Sequence, residues 1–175
     1  MPMIDLTYPE GALEPAARAE AVARLTEALL RIEGADPQSP YARAMAWAFV
    51  HELPPEAVNV AGRPAVRPVY RVLLTAPAGT LLQGPGPVGR AARGNLVREA
   101  TEILLAAEGT EYSPEESLRV NCIVREVPDG YWGGFGTTLR MDDIVATASP
   151  EAGDTPLAAR LREAGRWMIE EQVGA

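Results

Sequence analysis

A duplication inside the chain constrains its fold more than any other feature. Thr26-Glu27-Ala28-Leu29-Leu30 with Glu33-Gly34 recurs as Thr101-Glu102-Ile103-Leu104-Leu105 with Glu108-Gly109. Ser39-Pro40 matches Ser113-Pro114, and Val50-His51-Glu52-Leu53-Pro54 matches Val124-Arg125-Glu126-Val127-Pro128. Leu6-Thr7-Tyr8-Pro9-Glu10-Gly11-Ala12-Leu13 has a looser counterpart in Leu74-Thr75-Ala76-Pro77-Ala78-Gly79-Thr80-Leu81. Self-similarity at spacings of 68 to 75 residues marks a repeated supersecondary unit that buries its apolar face against its own copy. At 175 residues, the two copies can share one core and bury about 70% of the unfolded surface.

Each copy reads as strand, helix, strand. Ile4 and Leu6 alternate with Asp5 and Thr7, a half-buried strand, and residues 69 to 75 take its place in the second copy. Val22, Leu25, Leu29 and Ile32 form an apolar helical stripe, with Glu20 to Arg24 and Glu27 to Arg31 as i,i+4 pairs on the other side. Leu96, Val97, Ala100, Ile103, Leu104 and Ala107 repeat the stripe, and Gly34 and Gly109 stand where a helix ends in left-handed geometry. Ser39-Pro40 and Ser113-Pro114 predict short capped helical turns, Glu116 completing a capping box in the second. Strands over Trp47 to Leu53 and Val120 to Val127 follow.

The fold class is therefore α+β, with duplicated βαβ units in the order βαββαβ: four strands in a sheet and two helices on one face. Its bare face and edges call for cover, which predicts oligomerisation. The repeats span 2–62 and 69–136 within a domain of 1–147. Residues 148–175 read as a linker and a C-terminal helix, capped at Thr155-Pro156 with Leu157, Leu161, Ala164 and Met168 on one side. The turn Thr80 to Gly89 carries Gly84-Pro85-Gly86-Pro87 but no Gly-Lys-Ser/Thr, so it predicts a surface excursion and no phosphate cradle.

Sixteen basic against 24 acidic residues give a net charge of −8, a field that repels nucleic acid and anionic lipid. The acidic start lacks a signal peptide, and no apolar run is long enough to span a membrane. With one cysteine and no intrachain disulfide, the expectation is a soluble cytoplasmic protein. One histidine and no zinc spacing predict no metal site. His51 and Glu52 point to opposite sides of a strand and cannot form a relay. Cys122 reads as a buried, inert thiol.

The residue that suggests chemistry is Pro2. Initiator methionine is removed ahead of a small residue, so Pro2 is expected to open the mature chain with a free secondary amine. An α-amino group ordinarily titrates near 7.7–8, and an apolar pocket lowers that value. The neutral nitrogen could accept a proton or attack a carbonyl carbon. Either step needs donors aimed at the developing oxyanion, and arginine matches carboxylates in a bidentate fork. Arg71 lies in the strand equivalent to that of Pro2, while Arg90 and Arg93 stand at the start of the second helix, an anion-favouring position.

Pro2-Met3-Ile4, the duplicated βαβ spacing, and the segment Glu126-Val127-Pro128-Asp129-Gly130-Tyr131-Trp132-Gly133-Gly134-Phe135-Gly136, with its first-half echo Glu52 to Gly62, resemble the tautomerase superfamily of 4-oxalocrotonate tautomerase-like and MIF-like chains. The resemblance covers about residues 2 to 145. It implies a homotrimer of fused two-unit chains whose sheets wrap into a common core. It implies a cofactor-independent isomerase in which Pro2 is the general base, moving a proton between carbon and oxygen of a small carbonyl or enol acid. Trp132 matches the apolar pocket residue of that family. Ala12, Trp47 and Asn121 stand where family members carry arginines, so Asn121 is left as a hydrogen-bond donor without charge. Gly134 replaces the glutamate of one dehalogenating branch, which argues against hydrolytic dehalogenation. The alternative is a non-catalytic ligand-binding or oligomeric scaffold module of ferredoxin-like topology.

Overall fold

The computed structural model describes residues 2–81, 87–134 and 136–148, with 159, 163, 170 and 171 as isolated positions. Strand β1 (Met3–Pro9) turns Ile4, Leu6 and Tyr8 inward. Helix α1 (Pro15–Ile32) opens on Pro15, whose missing N–H is no loss in a first turn, and buries Ala21, Leu25, Ala28, Leu29 and Leu30. The short α2 (Pro40–Ala44) is capped by Ser39, and β2 (Trp47–Leu53) completes the first unit. A small hairpin, β3 (Asn59–Val60) with β4 (Arg63–Pro64), separates the two units. The second unit is β5 (Tyr70–Pro77), α3 (Pro87–Ala107), α4 (Pro114–Ser117) and β6 (Val120–Val127). A hairpin of β7 (Trp132–Gly134) and β8 (Thr137–Leu139) then leads into α5 (Met141–Ala148).

The main sheet has the order β2-β1-β5-β6. Each helix-joined pair, β1 with β2 and β5 with β6, is parallel and adjacent, and the central β1–β5 pair is antiparallel. This corrects the ferredoxin-like alternative: a split βαβ unit places another strand between those joined by a helix, whereas here they are neighbours. The antiparallel centre relates the two units by a pseudo-twofold axis, so equivalent residues lie at opposite ends of the sheet.

One face carries α1 and α3 over a core of Ile4, Leu6, Tyr8, Leu25, Leu29, Val72, Leu74, Ile103 and Leu104. Both helices end alike: Ala35 N–H donates to Leu30 O and Thr110 N–H to Leu105 O, with Gly34 and Gly109 at φ of 78° and 81°. These are paired Schellman motifs, and they place Glu33 and Glu108 at matching helix ends. Arg31 reaches across to Glu99 of α3 at 3.1 Å and not to the expected Glu27. In α4, Ser113 Oγ accepts from the Glu116 N–H at 3.1 Å. The Glu116 carboxylate is drawn to Arg67 and Arg119, so the second arm of the expected capping box is not made.

The other face is open. Read across the register, its rows are Trp47, Met3, Thr75, Arg125; then Phe49, Asp5, Leu73, Ile123; then His51, Thr7, Arg71, Asn121. Apart from isolated positions the expected C-terminal helix lies outside the described residues, as do residues 82–86 of the Thr80 to Gly89 excursion, whose last residues, from Pro87, already belong to α3. No described helix is long and apolar enough to cross a membrane.

Candidate active site

Pro2 is buried at the start of β1, where its carbonyl accepts the Trp47 N–H at 3.2 Å and is thereby tied to β2. It forms part of the wall of a cavity of about 330 Å³ closed by Leu30 of α1, Ala42 of α2, Met45, and Ile144 of α5. Glu33, from the end of α1, and Thr80, from the turn after β5, bring polar groups to the same cavity. Chain order makes this meeting place: β1 leaves the site, α1 returns to it, and the antiparallel β5 descends to it.

Trp132 is buried in a second cluster with Leu139 and Ile144, against which Met3 and Val127 pack. That cluster is linked to Met3, the neighbour of Pro2, and includes Ile144, a wall residue of the cavity. Arg90 is exposed and Arg93 half-buried in the first turns of α3, and neither is among the described lining residues. Arg71 and Asn121 are register partners on the open face. Arg71 pairs with Thr7, whereas Thr75 pairs with Met3, so Arg71 stands about 13 Å along the strand from the Pro2 end. A single chain thus brings Trp132 close to Pro2 and leaves Arg71 and Asn121 at the far end.

The sequence reasoning missed Arg125. It aligns with Thr75, itself opposite Met3, and its Nη2 donates to the buried Thr75 Oγ1 at 3.3 Å. The signal lay in the repeat, where Arg125 matches His51, but choosing between the ends of β6 required the direction of the central pair.

The pseudo-equivalent position in the second unit is sealed. Tyr70 takes the place of Pro2 and packs on Tyr8, ring centroids 6.0 Å apart. Arg119 fills the region beside it, its Nη2 2.6 Å from both Glu108 Oε2 and Glu116 Oε2 and its Nη1 donating to Pro68 O at 2.6 Å. Burial raises the Tyr70 hydroxyl well above the usual phenol range. On the open face His51 Nε2 lies 3.5 Å from Asp5 Oδ1, while Glu52 on the other face accepts from the Tyr8 hydroxyl at 2.8 Å and from Arg18. Cys122 faces the helices, where burial pushes its thiol up to about 12.

No protein-family model matches this sequence, and no curated protein matches it. Solved structures do. A member of the cis-3-chloroacrylic acid dehalogenase family superposes with a TM-score of 0.62 at 16% identity, over 92% of this chain and 99% of that one. A fused 4-OT, a wild-type symmetric trimer, gives 0.58 at 20% identity over 79% and 94%. Pt0534, inactivated by 2-oxo-3-pentynoate, gives 0.58 at 18% identity over 77% and 93%. The likeness establishes the fold: a fused pair of βαβ units of the tautomerase type. The chain spans nearly the whole of each of these neighbours.

Proposed function

We propose that the chain is a cofactor-independent tautomerase, assembled as a homotrimer, in which Pro2 of the mature polypeptide is the general base. The observation that carries this reading is the burial of Pro2 in the wall of a largely apolar cavity. Such surroundings disfavour an ammonium and hold a secondary amine ready to take a proton from carbon. Trp132 helps keep water from that nitrogen as part of the apolar cluster that includes Ile144 and packs on Met3. Arg90 and Arg93 at the start of α3, and Arg125 at the Pro2 end of the open face, stand outside the cavity lining and would meet the oxygens of a small carbonyl or enol acid from its rim, while Arg71 and Asn121 serve the same purpose from a neighbouring subunit.

The reading requires a mature chain that begins at Pro2, which mass spectrometry of the purified protein reports directly. It also requires a nucleophilic nitrogen there. An ynone such as 2-oxo-3-pentynoate is expected to add once per chain, the nitrogen forming a bond to the alkyne carbon. Ketonisation of phenylenolpyruvate is expected to slow at least 100-fold in Pro2→Ala, the scale of a lost general base. A retained Met1, or Pro2→Ala at full rate, overturns the assignment and leaves the cavity as a binding site of a non-catalytic module.

A further inference from the structure

The duplication supplies an internal control for the cavity. Glu33 and Glu108 occupy the same place after equivalent helices, yet their surroundings differ. Glu108 is neutralised by Arg119 at 2.6 Å. The position matching Arg119 is Met45, by the same offset that matches Ser39 with Ser113, and Met45 lines the cavity beside Glu33. Among the described residues no arginine makes a salt bridge with Glu33, and the chain has no lysine.

The polar partner Glu33 does have is Thr80, whose Oγ1 lies 3.2 Å from Glu33 Oε1 and 2.7 Å from Pro77 O. A hydroxyl has one hydrogen, and the shorter contact to a carbonyl, which can only accept, takes it. The Thr80 oxygen can then accept from a neutral Glu33 carboxyl, and it donates to the carboxylate when its own proton turns that way. Burial, the largest influence, favours the neutral form and raises Glu33 above the ordinary carboxylate range, against the lowering pulls of the charged chain terminus and of the Thr80 hydroxyl. Among the described residues the other titratable side chains facing the cavity are Asp36 and Tyr41, and the chain's α-amino group acts on Glu33 as well; α5 contributes Ile144, Val145 and Thr147, none of which titrates.

We propose that Glu33 is a second catalytic residue of this cavity, donating its proton to the substrate carbonyl oxygen while Pro2 removes the proton from carbon. The proposal rests on the reading of Pro2 as base. In the keto-to-enol direction the C–H electron pair becomes the C=C bond, its proton passes to the Pro2 nitrogen, and the carbonyl π pair takes the Glu33 proton. The site moves from neutral amine and neutral acid to ammonium and carboxylate, with its net charge unchanged. Ketonisation is the reverse, and proton transfer between the two residues resets the site.

The test pairs turnover with a readout independent of substrate. Glu33→Gln is expected to keep ynone labelling of Pro2, to slow phenylenolpyruvate ketonisation about 100-fold or more, and to lose one limb of the pH–rate profile. By NMR, the Pro2 amine is expected to titrate in two coupled steps beside the Glu33 carboxyl in the wild type and in a single step in Glu33→Gln. Met45→Arg, which rebuilds the ion pair of the second unit, is expected to abolish turnover in a folded protein. Unchanged rate and unchanged amine titration in Glu33→Gln overturn the role of Glu33 and leave Pro2 standing. Failure of the ynone to label Pro2 in the wild type overturns the underlying reading instead.

Discussion

A thiolate forms most easily where water or a cation reaches the sulfur, and Cys122 is half-buried, with burial the one influence acting on its thiol. It points from β6 into the helix-covered core, and burial holds its thiol near 12. The folded protein is expected to show no thiol reactive towards an aromatic disulfide at pH 8 and one after denaturation; a reactive thiol in the native state sinks this reading. What was legible at this scale was what neighbours along the chain decide. Pro2 at the head of a strand and Cys122 on an apolar strand face are local facts. Arg71 was placed with Pro2 because their strands are equivalent, but the antiparallel centre sends equivalent residues to opposite ends. Glu33 went unremarked because its meaning lies in the contrast between Met45 and Arg119, two loop residues whose neighbours become visible only in three dimensions.

At the scale of elements, α3, α4 and β6 are joined through Arg119, whose side chain is 10% exposed against 14% for Glu108. Removing one partner of a buried pair leaves a charge without compensation, so Arg119→Met is expected to cost about 3–5 kcal/mol in denaturant unfolding. A cost below 1 kcal/mol would show the network to be solvated. Glu116 adds a pH dependence. Hydrogen bonds from Arg67, then Arg119, hold its carboxyl down at about 2, below the ordinary unfolded value of about 4.3. A depressed folded value means stability that is present above the unfolded value and lost as pH falls towards 2. Glu116→Gln is therefore expected to flatten the stability curve between about pH 4.5 and 2, as read by unfolding midpoints across that window. Glu33 has the opposite sign: raised in the fold, it weakens stability as pH climbs above the unfolded value. Helix spans, Ser-Pro caps and glycine stops were readable because each is set within one turn of chain. The Arg31–Glu99 bridge and the hairpins 59–64 and 132–139 were not, since they depend on what packs alongside.

At the scale of the molecule, the asymmetry of the sheet is the dominant fact. Its helix face is filled, whereas Trp47, Phe49 and Ile123 on the other face are 49%, 44% and 41% exposed, and β2 and β6 are free edges within one chain. The middle row of that face brings Phe49, Leu73 and Ile123 into line, interrupted by Asp5. An apolar row on an open sheet is a liability in a monomer and the natural core of a symmetric assembly. The duplication already implied a bare face, but which residues share a row depended on register. Phe49→Asp and Ile123→Asp put charge into that row without touching the helix-side core. Each is expected to leave far-ultraviolet circular dichroism intact while light scattering drops from a trimeric mass to that of one 18.7 kDa chain. Because the proposed oxygen-binding residues Arg71 and Asn121 lie on the same face, far from the Pro2 of their own chain, the dissociated variants are also expected to lose turnover while keeping the cavity around Pro2. A wild-type protein that already scatters as a single chain would refute both the assembly and the assignment of those two residues to a neighbour's site.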